Sequence, residues 1–351
     1  MSARQQSIQA RTQAGAKARS LPDHRETLVK SALFLAGLAL MALVATQAFA
    51  NPDRWQREGW ATDFTQTTVD LGEIMDGGPR RDGIPPIDNP SFVPVSEIEH
   101  LGPLDPVMSF THNGETRAYP LRVMTFHEIV NDEVGGLPVS VTYCPLCNAA
   151  IVFDRNVDGE ILDFGTTGKL RRSDLVMYDR QTDSWWQQFS GESITGSYAG
   201  TELTMLPSQL VSWERFAEAN PDAMVLEDPQ NFRRPYGMNP YRGYDTLAQP
   251  FLYSGPFPDG IAPLQRVVMV RHEDTKFAIS TAKLAEEGSF EQDGIEVSFS
   301  AGQASALDSE IIAEGRDVGN ITVMMDGEPV VHDVTFAFVV HAFEPDLEII
   351  Q

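Results

Sequence analysis

The chain has 351 residues, 42% of them hydrophobic, two cysteines, and a formal net charge of −24. That content fits a folded protein with a real core, and two cysteines exclude a disulfide-scaffold protein. The acidity argues against nucleic acid or an anionic membrane surface as a partner.

Residues 1–30 are polar and basic, with Arg4, Arg11, Lys17, Arg19, Arg25 and Lys30. Residues 31–50 carry no charge and end in Ala48-Phe49-Ala50. This is the pattern of a signal peptide over residues 1–50, with cleavage before Asn51. The alternative is an N-terminal membrane anchor, since the apolar stretch approaches the roughly 20 residues needed to span a bilayer. In both cases the bulk of the chain is expected in the periplasm or another extracytoplasmic space. The first 50 residues hold six of the 26 basic and two of the 50 acidic residues, so the remainder has 20 against 48, a net −28.

Short apolar runs punctuated by Pro and Gly predict strands in chain order at Val107–Thr111, Thr116–Leu121, Val139–Tyr143, Ala150–Phe153 and Glu160–Phe164. Further strands are predicted at Leu175–Tyr178, Val267–Arg271, Lys276–Ser280, Ile295–Ser300, Ile321–Met325 and Val334–Val339. His112-Asn-Gly-Glu115 and Val157-Asp-Gly-Glu160 read as hairpin turns, because Asn-Gly and Asp-Gly supply the positive φ that such turns need. Helices are expected around Phe126–Val130, over Pro207–Ala219 with Ser208 or Ser212 as cap, and over Thr281–Glu287. The fold class is mainly β (α+β), antiparallel sheets with short helices.

Residues 107–118 align with residues 267–278, residues 141–149 with 297–305, and residues 213–222 echo 340–346, in the same order. This predicts two repeated β units. The first, residues 51–227, carries the cysteines. Residues 228–263 form an aromatic, Pro- and Gly-rich connector with Tyr236, Tyr241 and Tyr244. The second unit, residues 264–351, has no cysteine and places Ser300 and Gln303 where the first has Cys144 and Cys147.

The two cysteines stand in Thr142-Tyr-Cys-Pro-Leu-Cys-Asn148, between two strand-like runs. A helix normally follows a thioredoxin-type pair, whereas here a strand follows, so the segment reads as a knuckle with Pro145 fixing the turn and Asn148 left-handed. Thiolate is both metal ligand and nucleophile, so a metal site, a redox dithiol and an inert disulfide all remain open. A single knuckle cannot supply four cysteines. His127 is the expected third ligand of a copper or zinc ion; Met177, Glu128 and Asp132 are accessory candidates, and His100 and His112 are further histidines. Lys169, Arg171, Arg172 and Arg180 form a basic island that either meets an anion or pairs with Asp174, Asp179 and Asp183. Trp185 and Trp186 line a pocket or fill core. No P-loop, Ser-His-Asp order, zinc-protease helix or dinucleotide fingerprint occurs.

Together Gly77-Gly-Pro-Arg-Arg-Asp-Gly-Ile-Pro85, Ile87-Asp-Asn-Pro-Ser-Phe92, Arg117-Ala-Tyr-Pro-Leu121, His127-Glu-Ile-Val-Asn-Asp132, the Cys-Pro-Leu-Cys segment, Phe153-Asp-Arg155 and Ser173-Asp-Leu-Val-Met-Tyr-Asp-Arg180 form a recognisable set. In these the chain resembles a bacterial and archaeal family catalogued as domain of unknown function 3179, from about Trp55 to the C-terminus. The resemblance implies no activity. It implies an exported or tethered protein in which the Cys-Pro-x-Cys and His-Glu-x-x-Asn-Asp motifs travel together. The chain departs from the family pattern at Asn148, where Gly is frequent, and at Arg171-Arg172, where Tyr-Asn is frequent. The expectation carried forward is a cell-envelope protein that binds copper or zinc through Cys144, Cys147 and His127. The alternatives are a thiol–disulfide oxidoreductase, and a non-catalytic domain with a structural disulfide that binds an envelope protein partner.

Overall fold

Left-handed turn residues set the strand order of this chain, whose computed structural model describes residues 52–351. The segment read as signal or anchor lies outside the described residues. Asn113 and Gly114 take φ of 47° and 79°, closing a hairpin between Pro106–His112 and Glu115–Pro120 with His112 opposite Glu115. A short helix, Leu121–His127, follows; Glu128 caps it at φ 59° and returns its N–H to Met124. The chain then runs through the antiparallel strands Ile129–Val134, Leu137–Cys144 and Ala149–Asp154. Later, Gln209–Ser212 pairs antiparallel with Pro106–His112, the helix Trp213–Ala219 follows, and Met224–Leu226 lies parallel to Glu115–Pro120.

The second half repeats this succession. Arg266–His272 and Thr275–Ser280 form a hairpin, then come the helix Thr281–Glu287 and the antiparallel strands Ser289–Gln292, Ile295–Ser300 and Asn320–Met325. His332–Phe336 pairs antiparallel with Arg266–His272, the helix Ala337–Phe343 follows, and Ile349–Ile350 lies parallel to Thr275–Ser280. The two segments share this succession of strands and helices and its pairing sense. Cys144 ends its strand in the first half as Ser300 does in the second.

The fold is mostly β, with several antiparallel sheets and few short helices, as expected. Some elements differ from the expectation. The helix placed around Phe126–Val130 is Leu121–His127, and Ile129 and Val130 are already strand. The helix over Pro207–Ala219 starts only at Trp213; Ser212 takes the N-cap position without a side-chain cap bond. The strand Val334–Val339 stops at Phe336, where the helix Ala337–Phe343 begins. Glu160–Ile161 is a short strand apart from Phe164–Arg171. Across residues 334–339, where Thr335 is the one polar residue, the run has no period by which to separate helix from strand.

Between Ala149–Asp154 and Gln209–Ser212 the first half inserts four strands, among them Phe164–Arg171, Asp174–Asp179 and Trp185–Gln187, which with the upstream strand Ile74–Asp76 make a further five-stranded sheet. It is held on one side by Trp185, buried among Trp55, Trp60 and Phe64 at centroid distances of 4.8–5.1 Å. Trp186 is also buried, donating Nε1–H to Asp179 at 2.9 Å. Both tryptophans are core. The largest hydrophobic cluster joins Cys144, Cys147 and Met177 to Val267, Phe336 and Phe338, so both halves enclose the knuckle.

The bulge between Thr166 and Lys169 holds Gly168 at φ 73°, with its carbonyl accepting from Gly77 N–H at 2.9 Å. A Cβ there would lie 1.9 Å from the Pro79 carbonyl oxygen. Gly168→Ala is therefore expected to cost roughly 2–6 kcal/mol, backbone strain plus overpacking. Gly159→Ala, at φ 86° with open space around the added Cβ, serves as the control for strain alone. Urea unfolding of both variants checks this; equal losses would show that the Pro79 contact has no weight.

Candidate metal centre

Cys144 and Ala149 are paired residues at the end of a hairpin. Within its loop, Cys147 donates its N–H to Cys144 at 3.2 Å and Asn148 donates to Pro145 at 3.2 Å, with Asn148 at φ 53°. This is the expected knuckle, followed by the strand Ala149–Asp154 and not by a helix. Strand His332–Phe336 of the second half clamps it. Asn148 Nδ2 donates to the Val334 carbonyl at 2.6 Å, Thr335 Oγ1 to the Cys147 carbonyl at 2.8 Å, and Ala150 N–H to Asp333 Oδ1 at 2.9 Å. Tyr244 of the connector donates its hydroxyl to the Leu146 carbonyl at 2.8 Å.

Asp174 completes the site. Arg171 and Asp174 are cross-strand partners, so Arg172 and Ser173 make a two-residue turn in which both are left-handed, φ 55° and 67°. That turn aims the Ser173 carbonyl at the sulfurs, 3.5 Å from Cys147 Sγ and 4.0 Å from Cys144 Sγ. It also sets the Asp174 carboxylate beside them. The two Sγ atoms and a carboxylate oxygen of Asp174 lie within 4.8 Å of one another, and all three residues are buried. Asp174 Oδ2 accepts from Gln187 Nε2 at 2.6 Å and from Phe189 N–H at 2.9 Å, while buried Oδ1 has no partner. Both thiols are free. The cluster can hold a metal ion: ligand atoms of a tetrahedral shell stand roughly 3.3–3.8 Å apart, within reach of small side-chain adjustments.

The electrostatics would favour a cation at this cluster. Burial pushes the Cys144 thiol up and the Cys147 thiol far up, and nearby Asp174 adds to both. Burial raises Asp174 to about 6 against its hydrogen bonds. Glu128 rises to about 8 through burial and then the Asp174 charge, against a hydrogen bond from Tyr241. Burial raises all four groups, and the Asp174 charge adds to the rise of Cys144, Cys147 and Glu128; a cation among them would let the ligands ionise together.

Glu128 and Cys144 share a cavity of about 300 Å³ with Leu146, Thr166, Lys169 and Tyr241. The accessory candidate Glu128 thus shares this space with Cys144, not with Cys147. His127 does not join the cluster, which corrects the expected third ligand. Its Nδ1 bonds the Pro85 carbonyl at 2.7 Å, its Nε2 bonds the Tyr236 hydroxyl at 2.7 Å, and its ring packs on Phe232. Both ring nitrogens are engaged, and the chain reverses at Glu128 immediately after it. Asp132 is tied to Arg117, at 2.5 Å, and to the Tyr119 hydroxyl, at 2.6 Å, away from the cluster. Met177 packs in the same hydrophobic cluster as the cysteines.

The basic island does not act as one loop. Lys169 pairs with Glu58 and Asp76, Arg171 and Arg172 with Glu73, and Arg180 with Asp88. The expected partners are engaged elsewhere: Asp174 at the thiols, Asp179 with Thr182 and Trp186, and Asp183 with Arg81. Sequence reasoning did not single out Asp174 as a candidate ligand; its one signal is a carboxylate opening a strand that is apolar as far as Tyr178.

Fold and site define a mostly β protein built over one buried Cys-Pro-x-Cys knuckle with a buried carboxylate beside it. The chain belongs to the family described as protein of unknown function (DUF3179), which matches residues 81–347. No curated protein and no solved structure matches it.

Proposed function

We propose that this is an exported cell-envelope protein that holds one zinc ion through Cys144, Cys147 and Asp174, with the open side of the site facing the Glu128 cavity. The observation that carries this reading is the buried, unpartnered Asp174 Oδ1 beside two free thiols. Two sulfurs and one carboxylate oxygen are a borderline donor set that suits zinc. Copper(I) is the second reading, favoured by Met177 in the same cluster. When bound, the ion would supply a Lewis-acidic centre; Glu128 is the group placed to hold or give up a proton there.

A thiol–disulfide exchange role is less well supported. Such sites need an accessible thiolate of low pKa, whereas both thiols here are buried and raised. Metal analysis and a thiol count on anaerobically purified protein test the reading. One equivalent of zinc or copper per chain, with both thiols masked until a chelator is added, is expected. Metal-free protein with one disulfide would overturn it in favour of the interaction domain.

Export rests on the pattern of residues 1–50. No helix of the described residues is long and apolar enough to cross a membrane. Intact mass of the exported protein is expected to correspond to a start at Asn51; a mass that retains residues 1–50 would select the anchor.

A further inference from the structure

A second cavity, of about 490 Å³, opens where the turn Arg171–Asp174 meets the hairpin of the second half. Arg171 and Arg172 line it from the first half, and Arg271 and Lys276, which are cross-strand partners and so share a face, line it from the second. Phe189 and Phe343 pack against each other at 5.2 Å in its wall. The Arg271 guanidinium lies 4.6 Å from the Phe189 centroid; those of Arg171 and Arg172 lie 5.8 and 5.7 Å from Phe343.

The polar groups are unequally satisfied. Arg171 and Arg172 share Glu73, and Lys276 pairs with Glu344 at 2.9 Å. Arg271 has no ion pair or side-chain hydrogen bond among the described residues, and its Nη1 is buried without a partner. Arg171 Nε is likewise buried and unpartnered. Unpaired buried guanidinium donors are costly unless a ligand fills them. Around the cavity four cations, Arg171, Arg172, Arg271 and Lys276, face four carboxylates, Glu73, Glu192, Glu202 and Glu344. That balance leaves room for a monoanion better than for a dianion.

We propose that this cavity binds a small monocarboxylate with an apolar or aromatic body, its carboxylate between the Arg171 and Arg271 guanidinium groups and its body against Phe189 and Phe343. Arginine's planar fork suits a carboxylate, and the two rings supply the apolar wall. The site is separate from the cysteine cluster, and the proposal stands whether or not that cluster holds metal.

Calorimetric titration of the full-length protein with benzoate tests it, with benzamide and inorganic phosphate as comparison probes. Benzoate is expected to bind, benzamide not to, and phosphate more weakly. Arg271→Met is expected to weaken benzoate by about 10–100-fold, the value of a hydrogen bond to a charged group. Arg271→Lys keeps the charge, removes the forked donor and is expected to give a similar loss, which keeps the test open if the methionine variant does not fold. Arg242→Met, on an exposed pair with Glu310, is expected to change nothing. Benzoate affinity that survives both Arg271 variants, equal binding of benzamide, or tighter binding of phosphate would each overturn the proposal.

Discussion

Asp174→Asn is expected to strip the metal from the protein while leaving the fold in place. The amide keeps an oxygen for Gln187 Nε2 and Phe189 N–H, so the local hydrogen bonds survive. The anionic ligand atom is lost. Removing a partner outside the ligand shell of a metal typically costs 10–100-fold in affinity, so loss of a ligand should cost at least about 100-fold. Cys144→Ser and Cys147→Ser should do the same, and pairs of these changes should fall short of additivity because they serve one site. His127→Ala should behave in the opposite way. It removes bonds to the Pro85 carbonyl and the Tyr236 hydroxyl, at a cost of about 1–3 kcal/mol, with metal content unchanged. Metal stoichiometry and urea unfolding on the four variants separate these outcomes. Metal loss in His127→Ala with retention in Asp174→Asn would restore the histidine as ligand and remove the carboxylate.

Asp245→Asn is expected to be among the most destabilising single changes in the connector. The carboxylate has no exposure and accepts from Arg266 at 2.9 Å, from both Nη atoms of Arg316 at 2.9 Å, and from Ser305 Oγ at 2.6 Å. Arg266 also donates to Ser305 Oγ at 2.8 Å. Breaking a buried ion pair from one side costs about 3–5 kcal/mol, since the other charge stays behind. Burial pushes Asp245 up, but Arg266, Arg316 and Ser305 together hold its pKa below the ordinary carboxylate value. A depressed folded pKa gives stability that is present above the unfolded value of about 3.9 and is lost as pH falls through the folded value. The gap in unfolding free energy between wild type and Asp245→Asn should therefore be full at pH 7 and shrink below about pH 4. A gap under about 1 kcal/mol at pH 7, or one that does not narrow in acid, would show that the carboxylate is not the anchor of this cluster.

Much of the fold can be read from residues that force backbone geometry. Asn113-Gly114 and Asp158-Gly159 take positive φ and mark hairpins. The helix Thr281–Glu287 lies where it was expected, with Ser280 capping Ala282 N–H. What could not be read were boundaries inside apolar runs, such as the switch from strand to helix between Phe336 and Ala337. The site was half legible. Two cysteines in 351 residues identify themselves; one carboxylate among 50 acidic residues does not. Asp174 comes to lie beside the knuckle only because of a turn of two left-handed, non-glycine residues, and neither Arg172 nor Ser173 advertises that conformation. His127 misled for the converse reason: histidine is a common ligand type, and its bonds to Pro85 and Tyr236 join residues 42 and 109 positions away.

The clamp on the knuckle has a consequence for how the chain is made. Cys147 and Asn148 reach their partners Thr335 and Val334 across separations of 188 and 186 residues. At roughly 5–20 residues per second of synthesis, the covering strand arrives about 10–40 s after the cysteines emerge. Through that interval the two thiols lie bare on an unfinished domain. Which arrives first in that window, a metal, an oxidant or the strand itself, decides the chemistry that the finished protein seals inside.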